Sequence, residues 1–75
     1  MGKLTKRQNE VLMAIVQYLE KHHYPPTMKE IGEMLNISST STIFTHLEKL
    51  RRAGYITWEF GKPRTLNVLK LEGIN

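Results

Sequence analysis

Short hydroxyl side chains are concentrated at residues 38–42, at the start of a segment with helical periodicity. Hydroxyl groups in this position can donate to or accept from base edges without filling the major groove of DNA. Serine and threonine are also the commonest caps of helix N-termini. Two interpretations therefore stand side by side, a DNA-reading surface and an ordinary set of helix caps.

The segment after these hydroxyls keeps its apolar residues on one face. Ile43, Leu47 and Leu50 recur at helical spacing and form a buried stripe. At 100° per residue, the opposite face carries hydroxyls first and charges afterwards, and Phe44 lies about a quarter turn from the core. The outward residues are Ser41, Thr42, Thr45, Glu48, Lys49 and Arg52. We expect this face to be a polar recognition surface.

Two basic residues occupy a turn-rich tip further along the chain. Lys62 and Arg64 flank Pro63, within residues 60–64. A basic loop beside a polar helix can lie along a phosphate backbone and reach the neighbouring minor groove. The alternative is that both residues are ordinary solvated loop charges.

Catalytic and metal chemistry find no support among the remaining polar residues. Adjacent His22 and His23 would point apart on a helix, and neither cysteines nor carboxylates complete a metal set. We expect His46 to be a packed, hydrogen-bonded histidine. The sequence offers no serine, histidine and acid arrangement and no glycine-rich phosphate loop. We therefore expect no enzyme, no metal, no cofactor and no small-molecule ligand.

Aromatic residues occur in a segment with strand-like alternation. Tyr55 and Trp58 could stack on single-stranded bases. The more ordinary interpretation is that they pack a hairpin onto the helices. If Phe44 and Trp58 were exposed instead, they could anchor a protein partner.

Capping patterns predict where the first two helices begin and end. Thr5 with Gln8, and Thr27 with Glu30, each fit a capping box. The first helix is expected from Thr5 to about residue 21, with one apolar stripe, before the break at residues 24–26. The second is expected to stop at Asn36, in a left-handed conformation.

The third helix should reach about residue 53, with Gly54 at its C-cap, and a hairpin should follow. Residues 55–59 and 65–68 alternate between apolar and polar, as strands do. The expected fold is mostly α with a β-hairpin, a winged helix-turn-helix of three helices and a two-stranded wing. We expect residues 1–75 to form a single DNA-binding domain, with a frayed tail at about residues 71–75.

Composition narrows the class of partner. The 75 residues carry 11 lysines and arginines against 7 acidic residues, a formal charge of +4. This balance favours an anionic partner without requiring one. No apolar run is long enough to cross a membrane, no signal peptide is visible, and we expect a protein of the bacterial cytoplasm or nucleoid.

Several motifs of the chain resemble the DNA-binding domain of the LexA family of SOS-response repressors. They are L-T-K-R-Q at residues 4–8, P-P-T-x-x-E-I-G at residues 25–32 and S-x-S-T-x-x-x-H-L at residues 39–47. Leu50 with Gly54 also fits, and the K-P-R wing at residues 62–64 resembles the Gram-positive form. The resemblance covers roughly residues 4–69.

The resemblance implies a dimeric repressor on a palindromic operator, with the third helix in the major groove and the wing on the backbone. Carried over by position, the residues expected to face base edges are Ser39, Ser41, Thr42, Phe44 and Thr45. The residues expected to contact the DNA backbone are Arg7, Thr27, Lys29, Lys49, Arg52, Lys62 and Arg64.

The sequence departs from the family pattern in two places. Phe44 occupies a position that is usually polar in the family, and it could either touch a thymine methyl group or pack at the edge of the core. The chain also ends at Asn75, without the family's self-cleaving C-terminal half. An excised domain and a small standalone repressor of a phage or mobile element both fit, and the chain's two ends slightly favour the latter.

A rival interpretation from another class stays open at this point. The chain could be a small protein-interaction module, a decoy or antirepressor, that uses the same winged-helix surface. Steep loss of affinity with salt would distinguish DNA binding from a hydrophobic protein interface.

Overall fold

The computed structural model describes residues 4–70, which form three helices followed by two short strands. The helices are α1 (Lys6–His22), α2 (Met28–Leu35) and α3 (Thr40–Arg52). The strands are β1 (Ile56–Thr57) and β2 (Asn67–Val68). The predicted order of elements is confirmed. The frayed tail expected at about residues 71–75 lies outside the described residues.

Both predicted capping boxes are present. The Thr5 hydroxyl accepts the Gln8 backbone N–H at 3.1 Å, and the Gln8 side chain accepts the Thr5 N–H at 3.1 Å. Thr27 and Glu30 make the same reciprocal pair at the start of α2, at 3.2 and 2.9 Å. Each box satisfies backbone N–H groups that the helix itself leaves without partners.

The turn between α2 and α3 is tight. Asn36 ends α2 with φ 60°, the left-handed conformation predicted for it. The Ile37 N–H donates to the Gly32 carbonyl at 2.8 Å, and a Cβ on Gly32 would lie 2.6 Å from the Ile37 carbonyl oxygen. The glycine is therefore required by space, because the turn folds directly over its Cα. Ser39 then caps α3 by accepting the Thr42 N–H at 3.3 Å.

The hydrophobic core lies where the three helices and the hairpin meet. The predicted stripe of α3, Ile43, Leu47 and Leu50, is buried. Further buried residues come from all the other segments: Val11, Leu12, Ile15, Ile31, Tyr55, Ile56 and Leu66. Contacts between α1, α2 and α3 fix the angle at which α3 presents its outer face.

The strands are shorter than the alternation of the sequence suggests. Ile56 pairs with Val68 and Thr57 pairs with Asn67, antiparallel, and the ladder has no further pairs within residues 4–70. Beyond it, the Thr65 hydroxyl accepts the Glu59 N–H at 2.9 Å and closes the loop through a side chain. We call residues 55–69 the wing. Alternation predicted which residues face the core, but not how much of the hairpin would pair.

No helix within residues 4–70 is long and apolar enough to cross a bilayer.

Candidate nucleic-acid interface

The start of α3 presents a row of exposed hydroxyl groups. Ser39, Ser41, Thr42 and Thr45 are all solvent-exposed on the face opposite the core. Two of these hydroxyls already have a role within the helix. Ser39 Oγ accepts a backbone N–H as the cap, which leaves its proton to donate outward. Thr45 Oγ1 donates to the Ser41 carbonyl at 3.0 Å, so it offers an acceptor and a methyl group.

The cap interpretation is confirmed for Ser39, and the recognition interpretation stays a prediction for the other hydroxyls. Ser39 is the cap of α3, whereas Ser41 and Thr42 lie in its first turn with no capping role. A hydroxyl in the first turn projects beyond the backbone towards whatever approaches the helix end. This polar row is the most accessible part of α3 for a groove contact.

Phe44 packs against the wing rather than within the core. Its ring lies 6.1 Å from the Trp58 ring in an edge-to-face arrangement, and 6.5 Å from the Phe60 ring. We call Phe44, Trp58 and Phe60 the aromatic cluster. Phe44 remains 37% exposed. Its position thus joins α3 to the wing and still leaves part of the ring available to a thymine methyl group.

Arg51 completes this contact between α3 and the wing, and no sequence pattern predicts it. Its guanidinium carbon lies 5.1 Å from the centres of both the Trp58 and Phe60 rings. Glu48 holds the same guanidinium at 3.3 Å from the preceding turn of the helix. Such cation–aromatic contacts add to the packing of partly exposed rings.

The aromatic side chains divide into two environments. Tyr55 is buried in the core, and Trp58 packs against the core from its edge. This confirms the packing interpretation for Tyr55 and makes it inaccessible to bases. Phe60, by contrast, is 61% exposed at the wing tip.

An open groove of about 440 Å³ runs between the start of α2, the face of α3 and the wing. Its walls include the expected base-facing residue Phe44 and the expected backbone-contacting residues Thr27, Lys29, Lys62 and Arg64. The fold therefore brings together parts of both predicted sets, although they are dispersed along the sequence.

A second group of basic residues lies where α1 and α3 meet. The positive charges of Arg7 and Lys49 both act on His46, and burial with these two charges holds the pKa of the His46 imidazole below its ordinary value. His46 is packed as expected, but its buried Nδ1 has no hydrogen-bond partner among residues 4–70. The expected hydrogen bond is therefore not made at that atom.

The remaining expected backbone contacts are exposed or partly exposed. Lys29 and Arg52 are exposed, on α2 and α3 respectively, and Thr27 is half-buried at the α2 cap. Lys62 is 71% exposed and reaches Glu59 at 3.2 Å, a surface pair that costs little to break. Arg7 makes a similar exposed pair with Glu10 at 2.9 Å.

Arg64 differs from the other residues expected to contact the DNA backbone because its guanidinium is bonded to a distant element of the chain. Nη1 donates to Glu30 Oε1 at 3.0 Å, and Nη2 donates to Glu30 Oε2 at 2.8 Å. Nη1 also lies within 3.1 Å of the Pro25 carbonyl and 3.5 Å of the Tyr18 hydroxyl. The guanidinium carbon lies 4.7 Å from the centre of the Tyr24 ring. We call this arrangement the Arg64 latch.

In the Arg64 latch, Glu30 and Arg64 each stabilise the charged form of the other. The Arg64 hydrogen bonds, followed by the Thr27 backbone hydrogen bond, lower the pKa of Glu30 to about 2. Hydrogen bonding to Glu30 in turn raises the pKa of Arg64 above its ordinary value. Glu30 is therefore an anion at every physiological pH and accepts from both the α2 cap and the wing. A motif search finds the capping role of Glu30, but not its second partner.

Among residues 4–70, no group of three or more histidines and carboxylates is placed to hold a metal ion.

Three helices, a tight α2–α3 turn and a two-stranded antiparallel wing define a winged helix-turn-helix protein.

Comparison with known proteins identifies the particular family. Residues 1–65 match the family model described as the LexA DNA binding domain, and the chain belongs to this family. It is 45% identical over 71 residues to the LexA repressor of Shouchella clausii, covering 95% of this chain and 34% of that protein. Identity is 42% over 74 residues to the LexA repressor of Halalkalibacterium halodurans, covering 99% of this chain and 36% of that protein.

A third relative, the LexA repressor of Lacticaseibacillus casei, is 48% identical over 63 residues, which cover 84% of this chain and 30% of that protein. The chain thus spans about a third of the length of these relatives. Each of these three relatives is named as a LexA repressor.

Proposed function

We propose that this chain is a sequence-specific double-stranded DNA-binding protein that represses transcription at a palindromic, SOS-type operator. It acts by binding alone, with no catalytic step, as one winged helix-turn-helix unit in a bacterial cytoplasm or nucleoid. The observation that carries the proposal is the exposed hydroxyl row of α3, set beside a groove whose walls include Lys29 and Lys62. The LexA DNA-binding family and the repressor names of its relatives support it.

In the proposed complex, α3 enters the major groove with its first turns against base edges. The base-facing set is Ser39, Ser41, Thr42, Phe44 and Thr45. Hydroxyl donors and acceptors suit purine and pyrimidine edges, and the Phe44 ring and the Thr45 methyl group suit thymine methyl groups. These contacts would determine which sequence is preferred.

Backbone contacts surround that set and supply most of the affinity. We assign them to Arg7, Thr27, Lys29, Lys49, Arg52 and Lys62. The sequence places Arg64 in the same group, but its guanidinium is bound to Glu30. Each neutralised phosphate releases counterions, so affinity should fall steeply with salt concentration.

We also propose that two copies bind one operator. A palindrome read by identical helices places their half-sites on one face of the duplex, about 34–36 Å or one helical turn apart. One small interface buries modest area, so a single copy on a half-site should bind weakly.

The test is a titration of the chain against a palindromic SOS-type operator and a scrambled duplex, each at several salt concentrations. We expect preference for the operator and a steep salt slope. Equal, salt-steep binding to both duplexes would retain DNA binding and assign a different operator. Absence of binding at low salt would contradict the proposal and favour the protein-interaction module instead.

Substitutions separate base reading from backbone contact. We expect Ser41→Ala and Thr45→Ala to change base preference by about 1 kcal/mol, roughly fivefold, at the positions they contact. The control is Gln17→Ala, an exposed residue of α1 outside the groove. Selection from random duplexes measures the preference. Unchanged preference in both α3 variants would mean that another face of the protein reads DNA.

A further inference from the structure

The wing has few bonds of its own to hold it in place. Its ladder pairs two residues of each strand, and its tip, residues 60–64, is exposed. A two-stranded hairpin of this size is marginal in water without packing against another element. Tyr55, Ile56 and Leu66 anchor the base of the wing in the core, so the position of its exposed tip must be fixed by contacts outside the ladder.

Those contacts are made on two sides of the wing. On the α3 side, Trp58 and Phe60 meet Phe44 and Arg51. On the other side, Arg64 reaches Glu30 of α2, 34 positions earlier in the chain, and Tyr18 of α1. The Arg64 latch thus ties the wing to α1 and α2, whereas the aromatic cluster ties it to α3.

We propose that Arg64 is a positioning residue of the DNA interface, which holds the wing against α2 through Glu30 instead of binding phosphate. This inference rests on the proposed function. The alternative role is a direct phosphate contact. It would have to use the remaining donors, Nε and the second Nη2 hydrogen, or break the latch, because the latch already occupies the other N–H groups. Both terminal nitrogens donate to Glu30, and one also donates to the Pro25 carbonyl.

The backbone at Arg64 supports a built contact. Arg64 has φ 59°, the left-handed conformation that a side chain with a Cβ adopts at a cost. That conformation turns the Arg64 side chain back towards α2, whereas Lys62 in the same tip stays solvent-exposed beside Glu59. The planar fork of arginine then matches both carboxylate oxygens, which a lysine could not do.

Glu30 connects the latch to a second part of the interface. Its Oε1 accepts the Thr27 N–H at 2.9 Å and also the Arg64 guanidinium. The same carboxylate therefore fixes both the N-cap of α2 and the angle of the wing. Thr27 and Lys29, which we assign to contacts with the DNA backbone, lie at that N-cap. Removing the Glu30 charge should loosen the wing while Gln keeps the cap acceptor.

The two roles predict opposite effects of Glu30→Gln on operator affinity. If Arg64 positions the wing, loss of the carboxylate charge weakens the latch and lowers affinity by about fivefold. If Arg64 binds phosphate, the same substitution releases its guanidinium, removes a negative charge near DNA and raises affinity. The sign alone separates the two roles.

The experiment titrates the full chain and its Glu30→Gln, Arg64→Lys and Lys62→Ala variants against the operator over a salt series. We expect the first two variants to lose affinity about fivefold, with a salt slope parallel to that of the unsubstituted chain. Lys62→Ala should reduce the salt slope by about 1, because one phosphate contact is lost. Higher affinity of Glu30→Gln, or full affinity of Arg64→Lys, would overturn the inference.

A readout without DNA keeps the inference testable if the proposed function fails. Amide hydrogen exchange compares wing amides, such as Lys62 N–H on the Glu59 carbonyl, with core amides of α1. We expect Glu30→Gln and Arg64→Lys to speed exchange in the wing and leave α1 unchanged. Unchanged wing exchange in both variants would overturn the latch. Failure of the unsubstituted chain to bind DNA would overturn only the proposed function.

Discussion

The helix-turn-helix unit and the wing present neighbouring parts of one interface, yet they are held by different kinds of contact. In α2 and α3, caps lie three residues from their partners, and Ile31, Ile43 and Leu47 are buried beneath. In the wing, two residue pairs form the ladder, and the positioning contacts span up to 46 positions along the chain.

This difference predicts that α3 and the wing differ in mobility. A recognition helix fixed by local caps and a dry core has few alternative positions, so its base-facing residues are preorganised. The tip of the wing is held by exposed side chains and opens more readily, because partly exposed contacts contribute little each. In the proposed complex, we therefore expect the wing tip to adjust to the DNA backbone while α3 keeps its position.

The largest effect is expected at Gly32, where the turn covers the helix. In Gly32→Ala the new Cβ would lie 2.6 Å from the Ile37 carbonyl oxygen, which belongs to the backbone and cannot rotate away. The helix propensity gained from alanine is about 1 kcal/mol. Overpacking against backbone should reach about 3 kcal/mol, the upper end of its usual range, and leave a net loss of about 2 kcal/mol in the free energy of unfolding. Urea denaturation followed by Trp58 fluorescence measures it.

Gly61 in the wing tip gives the matched substitution for the other region. No atom lies within 4 Å of a Cβ placed there, but φ is 77°. Gly61→Ala should cost about 1 kcal/mol through backbone strain alone. It should leave α1 hydrogen exchange close to the unsubstituted pattern. A larger loss for Gly61→Ala than for Gly32→Ala would reverse the proposed comparison of the two regions.

Sequence reasoning succeeded where the cause is local. The capping boxes at Thr5 and Thr27, the left-handed Asn36 and the buried face of α3 all depend on residues within one or two turns. The motifs that resemble the LexA family contain both capping boxes and part of the buried face of α3. Fold class and the polar face of α3 followed from these alone.

Sequence reasoning failed where two residues in contact lie far apart in the chain. No spacing rule links Arg64 to Glu30, because their meeting depends on how the whole hairpin folds back over α2. The aromatic cluster and Arg51 have the same origin. The strand lengths also differed from the alternation, because Thr65 closes the loop with a side-chain hydrogen bond instead of a ladder pair.

A smaller effect is expected from the aromatic cluster. Phe60 lies 5.7 Å from Trp58, edge-to-face, and is itself 61% exposed. Phe60→Ala should lower the free energy of unfolding by about 0.5–1.5 kcal/mol and alter Trp58 emission. Phe60→Leu, which keeps apolar area but loses the ring, is the control for simple burial. Equal emission spectra in all three proteins would show that the cluster does not form in solution.

The smallest effect is a pH dependence that isolates the Arg64 latch. Glu30 has a folded-state pKa of about 2, below its ordinary 4.5, so the unfolded chain binds more protons between these values. Stability from this group is therefore complete above about pH 4.5 and is lost as the pH falls towards 2. Glu30→Gln has no such titration.

The measurement is the difference in unfolding free energy between the unsubstituted chain and Glu30→Gln from pH 7 to pH 3. Every other carboxylate is shared and cancels in that difference. It should be constant from pH 7 to about pH 5 and narrow below, and it should be smaller in high salt, because Arg64 and Glu30 are partly exposed. A difference independent of pH would mean that the latch is open in solution, and that the wing is held by its buried residues and the aromatic cluster.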